Sequence, residues 1–149
     1  MNKEEYMKIA LKEANKALKE DEVPIGAIIV FNNEIIAKAH NKKESKKDPL
    51  AHAEIECIRK ATKKLGLKYL NDSEMYVTLE PCIMCAGAII NSRIKKVYIG
   101  TADNKGGAFG SNTNITKIKG LNHYPKYETG ILQEECSSIL KKFFKNKRK

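Results

Sequence analysis

Residues 74–91 read EMYVTLEPCIMCAGAIIN, and this stretch does most to decide the fold. Its first six residues predict a strand and residues 82–91 predict a helix, with Pro81 where a first-turn proline is tolerated. In such a helix Cys82 and Cys85 are three residues apart and therefore share one face. Both thiols then lie near a helix N-terminus, where the free amides and the helix dipole favour thiolates.

A second predicted helix start lies upstream, where residues 51–54 read AHAE. Asp48 and Pro49 precede it as a helix-entry signature for a helix over 51–65. His52 lies at the start of this helix, and Cys82 lies at the start of the helix predicted over 82–91. The two helix starts are therefore expected to converge on one metal ion.

Three zinc ligands and one uncommitted carboxylate indicate a catalytic metal site. Four protein ligands close a tetrahedral zinc ion, whereas three leave a corner where water is activated. Zinc lowers the pKa of bound water from ~15.7 toward roughly 7, but two thiolates donate charge and weaken that effect, so a nearby base becomes useful. We expect His52, Cys82 and Cys85 to hold Zn²⁺. We expect Glu54 to move protons, as hydrolytic deamination requires.

Other interpretations of these residues stay open. A lone Cys-x-x-Cys also occurs in thioredoxin-like redox pairs and in halves of structural zinc knuckles. An RNA-binding module with a purely structural zinc ion would need a fourth protein ligand. The candidates for that ligand are Cys57, Cys136, His40, His123 and Glu54. We expect the first two to be buried apolar side chains and both histidines to be surface or hydrogen-bonded imidazoles.

Length and composition favour one domain over residues 1–149. Residues 1–20 alternate charged and apolar side chains at helical spacing and lack an uninterrupted apolar core, so they predict neither a signal peptide nor a membrane span. No membrane partner is expected. The four cysteines, two of them assigned to zinc, do not resemble a disulfide framework, which favours a reducing cytoplasm.

Strands and helices alternate along the chain, which predicts an α/β layered domain with a central sheet. Asn32 and Asn33 suit the turn of an opening hairpin. The predicted strands are 25–31, 34–40, 74–79, 96–100 and a possible fifth over 123–128. The predicted helices are 1–20, 51–65, 82–91, a weak one over 112–119 and a last one from Gly130 onward, with a glycine-rich loop over 103–110.

The formal net charge of +10 invites a polyanionic partner. Of the 28 basic residues 25 are Lys, which resembles codon bias, so the location of the charge is more informative than its total. Residues 141–149 read KKFFKNKRK and combine six cations, which contact phosphate, with two aromatics, which stack on unpaired bases. The alternative is a solvated terminus anchored by Phe143 or Phe144. A second basic run, 42–47, could rim the active site or simply be solvated.

The chain resembles the bacterial-type tRNA-specific adenosine deaminases of the cytidine-deaminase-like superfamily. The resemblance covers nearly the whole chain, and the zinc motif alone marks only the superfamily. The matching segments are 22–27 (EVPIGA), 51–54 (AHAE), 78–88 (TLEPCIMCAGA) and 130–132 (GIL), which leads into Phe143 and Phe144. The resemblance implies a three-layer cytidine-deaminase-like α/β fold, with a mixed five-stranded sheet flanked by helices.

The resemblance also implies an activity and a set of site residues. The activity is deamination of adenosine to inosine at the wobble position of a tRNA anticodon, by a zinc-activated water with Glu54 as proton shuttle and one Zn²⁺ per subunit. Asn41 would hydrogen-bond the base and Asp103 would contact a ribose or backbone, while Phe143, Phe144 or their cationic neighbours would touch the anticodon loop. Members of the family form homodimers.

Alternatives remain for each of these implications. Asn41 could turn the chain after the second strand, and Asp103 could start a local turn. A small-molecule deaminase that acts on guanine, cytosine or cytidine would use the same zinc chemistry. Such an enzyme would not need the basic, aromatic last helix.

Overall fold

The sheet opens with a hairpin formed by β1 (Gly26–Phe31) and β2 (Glu34–His40), which pair antiparallel. The two turn residues, Asn32 and Asn33, have φ of 51° and 62°. Asparagine tolerates this left-handed conformation, which the tight turns of hairpins require. The structure, a computed structural model, describes residues 1–147.

The rest of the sheet is built by crossover connections. β3 (Glu74–Leu79) lies antiparallel to β1, β4 (Lys96–Thr101) lies parallel to β3, and β5 (Lys126–Thr129) lies parallel to β4. The strand order is β2-β1-β3-β4-β5, so the sheet is mixed. Because β3 and β4 are parallel, the segments that follow them start at the same edge of the sheet.

Within residues 1–147, four α-helices cover the two faces of this sheet. They are α1 (Lys3–Lys19), α2 (Ala53–Leu65), α3 (Ile83–Ser92) and α4 (Gln133–Lys147). Alternate strand residues belong to two separate apolar cores. One core includes Ile29, Val77 and Ile99 of the sheet, Cys57 and Ala61 of α2 and Ile89 of α3. The other includes Ile28, Val30 and Tyr76 of the sheet, Met7 and Ala10 of α1 and Cys136 of α4. The predicted three-layer α/β fold with a five-stranded mixed sheet is confirmed.

The second and third helices begin later than the sequence predicts. α2 begins at Ala53 and α3 at Ile83, so His52 and Cys82 are the N-cap residues of their helices. Pro81 therefore lies outside α3 instead of in its first turn. Both N-cap residues have extended backbone dihedrals, as N-caps normally do.

The C-terminal third differs most from the sequence-based expectation. The weak helix predicted over 112–119 is one 3-10 turn, Ile115–Lys117, which follows an Asn114 cap. The fifth strand begins at Lys126, because the preceding Pro125 has no amide to donate to a ladder. α4 begins at Gln133, since Gly130 and Leu132 have left-handed φ values of 89° and 53°. Within residues 1–147, every helix is too short or too polar to serve as a transmembrane span.

Candidate active site

The starts of α2 and α3 bring an imidazole and two thiols together at one edge of the sheet. The side chains of His52 and Cys82 make no capping hydrogen bond to their own helices, although each occupies the N-cap position. They are therefore free to point toward each other. Cys85, in the first turn of α3, is buried and completes the group. The ligand atoms of the three residues all lie within 4.8 Å of one another.

The distances in this cluster fit a tetrahedral metal ion. His52 Nδ1 lies 3.7 Å from Cys82 Sγ and 3.5 Å from Cys85 Sγ. In a tetrahedral zinc site, with Zn–S of about 2.3 Å and Zn–N of about 2.1 Å, a nitrogen and a sulfur ligand are about 3.6 Å apart. One imidazole and two thiolates are also a donor set that suits zinc. The residues present therefore fit the expected ion.

Among residues 1–147 this is the one group of three such side chains, and none of the suggested fourth ligands joins it. His40 is hydrogen-bonded to Glu13 at 3.4 Å and to Glu20 at 3.0 Å. His123 contacts the carbonyl oxygen of Ile94 at 2.6 Å. Cys57 and Cys136 are fully buried, one in each apolar core. The cluster thus offers three potential protein ligands, which would leave a tetrahedral ion one open corner.

Electrostatics within the cluster favour a thiolate at Cys82. A hydrogen bond with the Cys85 thiol, together with contact to His52, lowers the pKa of Cys82 to about 3. The same hydrogen bond and burial raise the pKa of Cys85, while the hydrogen bond to Cys82 raises the pKa of His52. In the metal-free protein the negative charge of the two thiols is therefore centred on Cys82.

Glu54 lies in the first turn of α2, two residues from His52, and is 4% exposed. Burial raises the pKa of its carboxyl to about 7, against the opposing effect of the helix-start backbone. A carboxyl group whose pKa lies near neutrality can both accept and donate a proton. Glu54 therefore has the ionisation behaviour that a proton shuttle needs.

A pocket of about 130 Å³ opens beside the cluster and is lined by Val23, Ile25, Asn41, Lys43, His52 and Ala53. Asn41 is held in place by two hydrogen bonds. Its Nδ2 donates to the carbonyl oxygen of Val23 at 3.3 Å, and its Oδ1 accepts from the Lys43 N–H at 3.1 Å. The second contact shows that Asn41 also stabilises the turn after β2, which was the alternative role suggested from the sequence. An amide has two donors and two lone pairs, so each polar atom keeps one further bonding position.

The sequence of the chain matches known deaminases over nearly its full length. The model of the MafB19-like deaminase family matches residues 1–148. A tRNA-specific adenosine deaminase from Aquifex aeolicus (strain VF5) is 51% identical over 148 residues, which is 99% of this chain and 97% of that protein. This chain belongs to the tRNA-specific adenosine deaminase family.

Two solved structures show the same similarity in three dimensions. One, from a study of A-to-I editing by tRNA:A34 deaminases at the wobble position of transfer RNA, has a TM-score of 0.89 and 42% identity. The match covers 91% of this deaminase and 99% of that chain. A guanine deaminase from Bacillus subtilis has a TM-score of 0.66 and 40% identity over 68% of this chain and 66% of its own.

Asp103, expected to contact the substrate of the deaminase, starts the loop that follows β4. Its Oδ1 accepts hydrogen bonds from the amides of Lys105 at 3.1 Å and Gly106 at 3.2 Å. The turn-forming role suggested for Asp103 is thus present. The loop lies against the metal-ligand segment, because the Ala108 N–H donates to the carbonyl oxygen of Pro81 at 2.9 Å.

The two phenylalanines of α4 have different environments. Phe143 is 8% exposed, whereas Phe144 is 45% exposed and meets Phe143 edge-on, with the ring centres 5.3 Å apart. Phe144 borders a groove of about 550 Å³ whose other lining residues are Thr101, Ala102, Ser137, Leu140, Lys141 and Lys145. An RNA contact therefore fits Phe144, while Phe143 anchors the helix. The last two residues of the predicted basic run, Arg148 and Lys149, lie outside the described residues.

Sequence reasoning assigned no role to two buried carboxylates, Glu22 and Glu80, although both lie in the quoted motifs. Glu22 is inaccessible to solvent and accepts hydrogen bonds from the amides of Glu44 at 2.9 Å and Ser45 at 2.6 Å. It thereby fixes the basic loop 42–47 beside the pocket. The one available signal was an acidic residue next to an apolar strand, which is too common to be specific.

We expect Glu22→Gln to lower the free energy of unfolding at pH 7 by about 2 kcal/mol, since hydrogen bonds to a charged acceptor contribute roughly 1.5–3 kcal/mol. Burial alone raises the pKa of Glu22, but the bonds from Glu44 and Ser45 outweigh it and hold the pKa below its ordinary 4.5. The ionised carboxylate therefore stabilises the fold above that pH, and the contribution is lost as the pH falls through the lowered pKa. Urea unfolding at several pH values should show the difference between variant and wild type shrinking below about pH 4.5. A constant difference would contradict the assignment.

Proposed function

We propose that residues 1–149 form one zinc-dependent deaminase domain that converts adenosine to inosine at the wobble position of a tRNA anticodon. The main support is a group of three side chains within residues 1–147 that could hold a metal ion, beside a buried carboxyl whose pKa is near neutral. The proposal also draws on membership of a family whose named relatives include a tRNA-specific adenosine deaminase.

His52 Nδ1, Cys82 Sγ and Cys85 Sγ would hold one Zn²⁺ per subunit. When bound, zinc supplies a Lewis acid that makes a water molecule nucleophilic near neutral pH. The arrangement of the two N-cap residues presents all three ligands from rigid helix starts. This chain's contribution is therefore to fix the ligands and to leave one position accessible.

Glu54 carries the protons in the proposed reaction. Its carboxylate takes one proton from the attacking water and gives it to N1 of adenine. It then takes the second proton from the oxygen now bonded to C6 and gives it to the departing amine. The water oxygen becomes bonded to C6, the C6–N bond breaks, and ammonia leaves. A carboxyl group with a pKa of about 7 is suited to both halves of this transfer.

The substrate side of the proposal uses the residues around the pocket. Asn41 offers its remaining donor and acceptor positions to the base, and Asp103 faces the ribose or backbone beside it. Phe144 stacks on a neighbouring base and Lys141 and Lys145 contact phosphate. Bases in an anticodon loop are already unpaired, so little unstacking is required to place one in the pocket.

We expect Phe144→Ala to weaken binding of an anticodon stem-loop about tenfold, because stacking of a base on an aromatic side chain contributes roughly 1–3 kcal/mol. The melting temperature of the variant protein should stay close to that of the wild type, since Phe144 is exposed. Phe143→Ala is the matched control and should lower stability by about 3 kcal/mol, as expected for a core phenylalanine. Fluorescence anisotropy and thermal melting give the two values. Equal RNA affinities for Phe144→Ala and wild type would refute the stacking role.

A direct assay tests the function itself. The protein is incubated with an adenosine-bearing anticodon stem-loop and, in parallel, with free adenosine, cytidine and guanine. The proposal is supported if the adenosine of the stem-loop is converted to inosine while the three free compounds stay unreacted. Turnover of guanine alone would favour the small-molecule alternative, for which the similarity to a guanine deaminase is the supporting observation.

We also propose a homodimer in the cytoplasm. Leu50 and Ile83 are 48% and 54% exposed, and both are apolar residues next to the ligand segments. An interface between two copies of the chain would remove these apolar side chains from water. All four cysteines are free, as expected in a reducing compartment. Light scattering should give twice the chain mass of 16.8 kDa.

A further inference from the structure

The carboxylate of Glu80 is 2% exposed and is the centre of a hydrogen-bond network at the end of β3. Its Oε1 accepts from the Asp103 N–H at 3.1 Å, and its Oε2 accepts from the amides of Phe109 at 2.8 Å and Ser111 at 3.2 Å. The Ser111 hydroxyl also donates to Oε1. All four donors are neutral groups of one loop, residues 102–114, which we call the Asp103 loop.

The Asp103 loop is fitted closely around this carboxylate. A Cβ atom at Gly107 would lie 2.3 Å from Glu80 Cδ and 2.5 Å from Oε2, so the loop can approach Glu80 only with glycine there. The Glu80 N–H donates to the carbonyl oxygen of Thr101 at 2.9 Å, which joins the two strand ends. The Pro81 carbonyl oxygen accepts a hydrogen bond from the loop, and Cys82 follows Pro81 directly. The loop and the start of α3 are therefore connected.

From these contacts we propose that Glu80 is a positioning residue for the RNA substrate. Its carboxylate holds the Asp103 loop, and with it the Asp103 side chain, at a fixed place beside the His52, Cys82 and Cys85 cluster. This inference rests on the proposed function, which gives Asp103 a contact with the RNA. Glu80 itself contacts neither the metal ligands nor the substrate in this scheme.

The charge and shape of Glu80 both matter to this role. Glutamine has nearly the same shape, but it replaces one acceptor oxygen with an NH₂ group, which would face amide donors. At least one loop amide then loses its buried acceptor, and the loop loosens. The apolar cores and the metal ligands are untouched by the substitution.

The first test compares full-length, zinc-loaded Glu80→Gln with the wild type on the adenosine-bearing stem-loop. We expect KM to rise about tenfold with kcat within about threefold, which is the pattern for lost binding that is equal in ground and transition states. Amide hydrogen exchange at Asp103, Phe109 and Ser111 should be at least about tenfold faster. Zinc per chain should be unchanged. A fall in kcat with KM unchanged, or unchanged exchange at all three amides, would overturn the proposal.

The second test asks whether Glu80 acts through Asp103. If it does, Asp103→Ala and the double variant Asp103→Ala/Glu80→Gln will have the same KM, because the loop no longer presents the side chain that mattered. Independent, multiplicative effects would overturn the proposal. Ser111→Ala removes one hydroxyl donor but keeps the carboxylate. Ser111→Ala should raise KM by about twofold to threefold. It replaces Glu80→Gln in both tests if that variant does not fold.

Failure of this inference and failure of the proposed function have different signatures. If the wild-type protein leaves the stem-loop unreacted, the proposed function fails, whatever the variants do. The exchange rates of the three loop amides are read without RNA. They still decide whether Glu80 holds the loop.

Discussion

The Glu54→Gln variant will lose about a thousandfold or more in kcat on the anticodon stem-loop, since proton transfer by a positioned side chain contributes roughly 10²–10⁴. Glutamine keeps the shape of the buried side chain but cannot accept a proton. The metal site should be intact, because Glu54 is not one of the three proposed ligands. The expected result is therefore an inactive protein with the zinc content of the wild type. Inosine formation under single-turnover conditions and metal analysis measure the two quantities.

Glu56→Gln is the matched control for this experiment. Glu56 lies in the same helix, is 6% exposed and pairs with Lys46 instead of facing the cluster. Its replacement should leave kcat within about threefold of the wild type, although some stability is lost with an ion pair whose lysine is half exposed. Full activity in Glu54→Gln would exclude the proton route drawn above.

The second large effect is expected for Cys82→Ala. Two ligands remain after this change, and a site with an imidazole and one thiol should not retain zinc through dialysis against a chelator. Zinc content should fall from one per chain to near zero, and activity by more than about a thousandfold.

Cys57→Ala provides the comparison for that variant. Cys57 is also a cysteine of the ligand region, but it is buried in the core with its thiol 3.6 Å from the carbonyl oxygen of Ala27. It should keep zinc and activity while losing about 1 kcal/mol of stability from the small cavity. Full zinc content in Cys82→Ala, or loss of zinc in Cys57→Ala, would contradict the assigned ligand set.

The elements with strong periodicity could be predicted from sequence. The hairpin around Asn32 and Asn33, the buried strand 74–79 and the two ligand helices are all present. Local patterns decided these elements, because apolar spacing and turn residues agree there. The sequence patterns over residues 112–119 and 123–128 were weaker. The conformation there depends on the Asn114 cap and on Pro125, which delays the start of the fifth strand to Lys126.

The sequence predicted which residues carry the chemistry of the candidate site, but not the contacts that hold these residues in place. Residue types and spacing indicated His52, Glu54, Cys82 and Cys85, whereas the absence of a fourth ligand within residues 1–147 required three-dimensional contacts. Which of Phe143 and Phe144 is accessible depends on how the last helix packs. The carboxylates of Glu22 and Glu80 act on loops more than 20 residues away in the chain, so no local pattern reveals them.

The two N-cap positions have a consequence for how far this fold can be stabilised. Serine, aspartate or asparagine at an N-cap stabilises a helix by about 1 kcal/mol relative to a residue that makes no cap bond. His52 and Cys82 forgo that gain at both helix starts. In the metal-free protein, selection for thermal robustness alone would favour small hydroxyl or acidic residues at these two places. The metal-free fold is thus held below the stability that its own backbone permits, and a library screened for heat resistance in the presence of a chelator should enrich inactive proteins altered there.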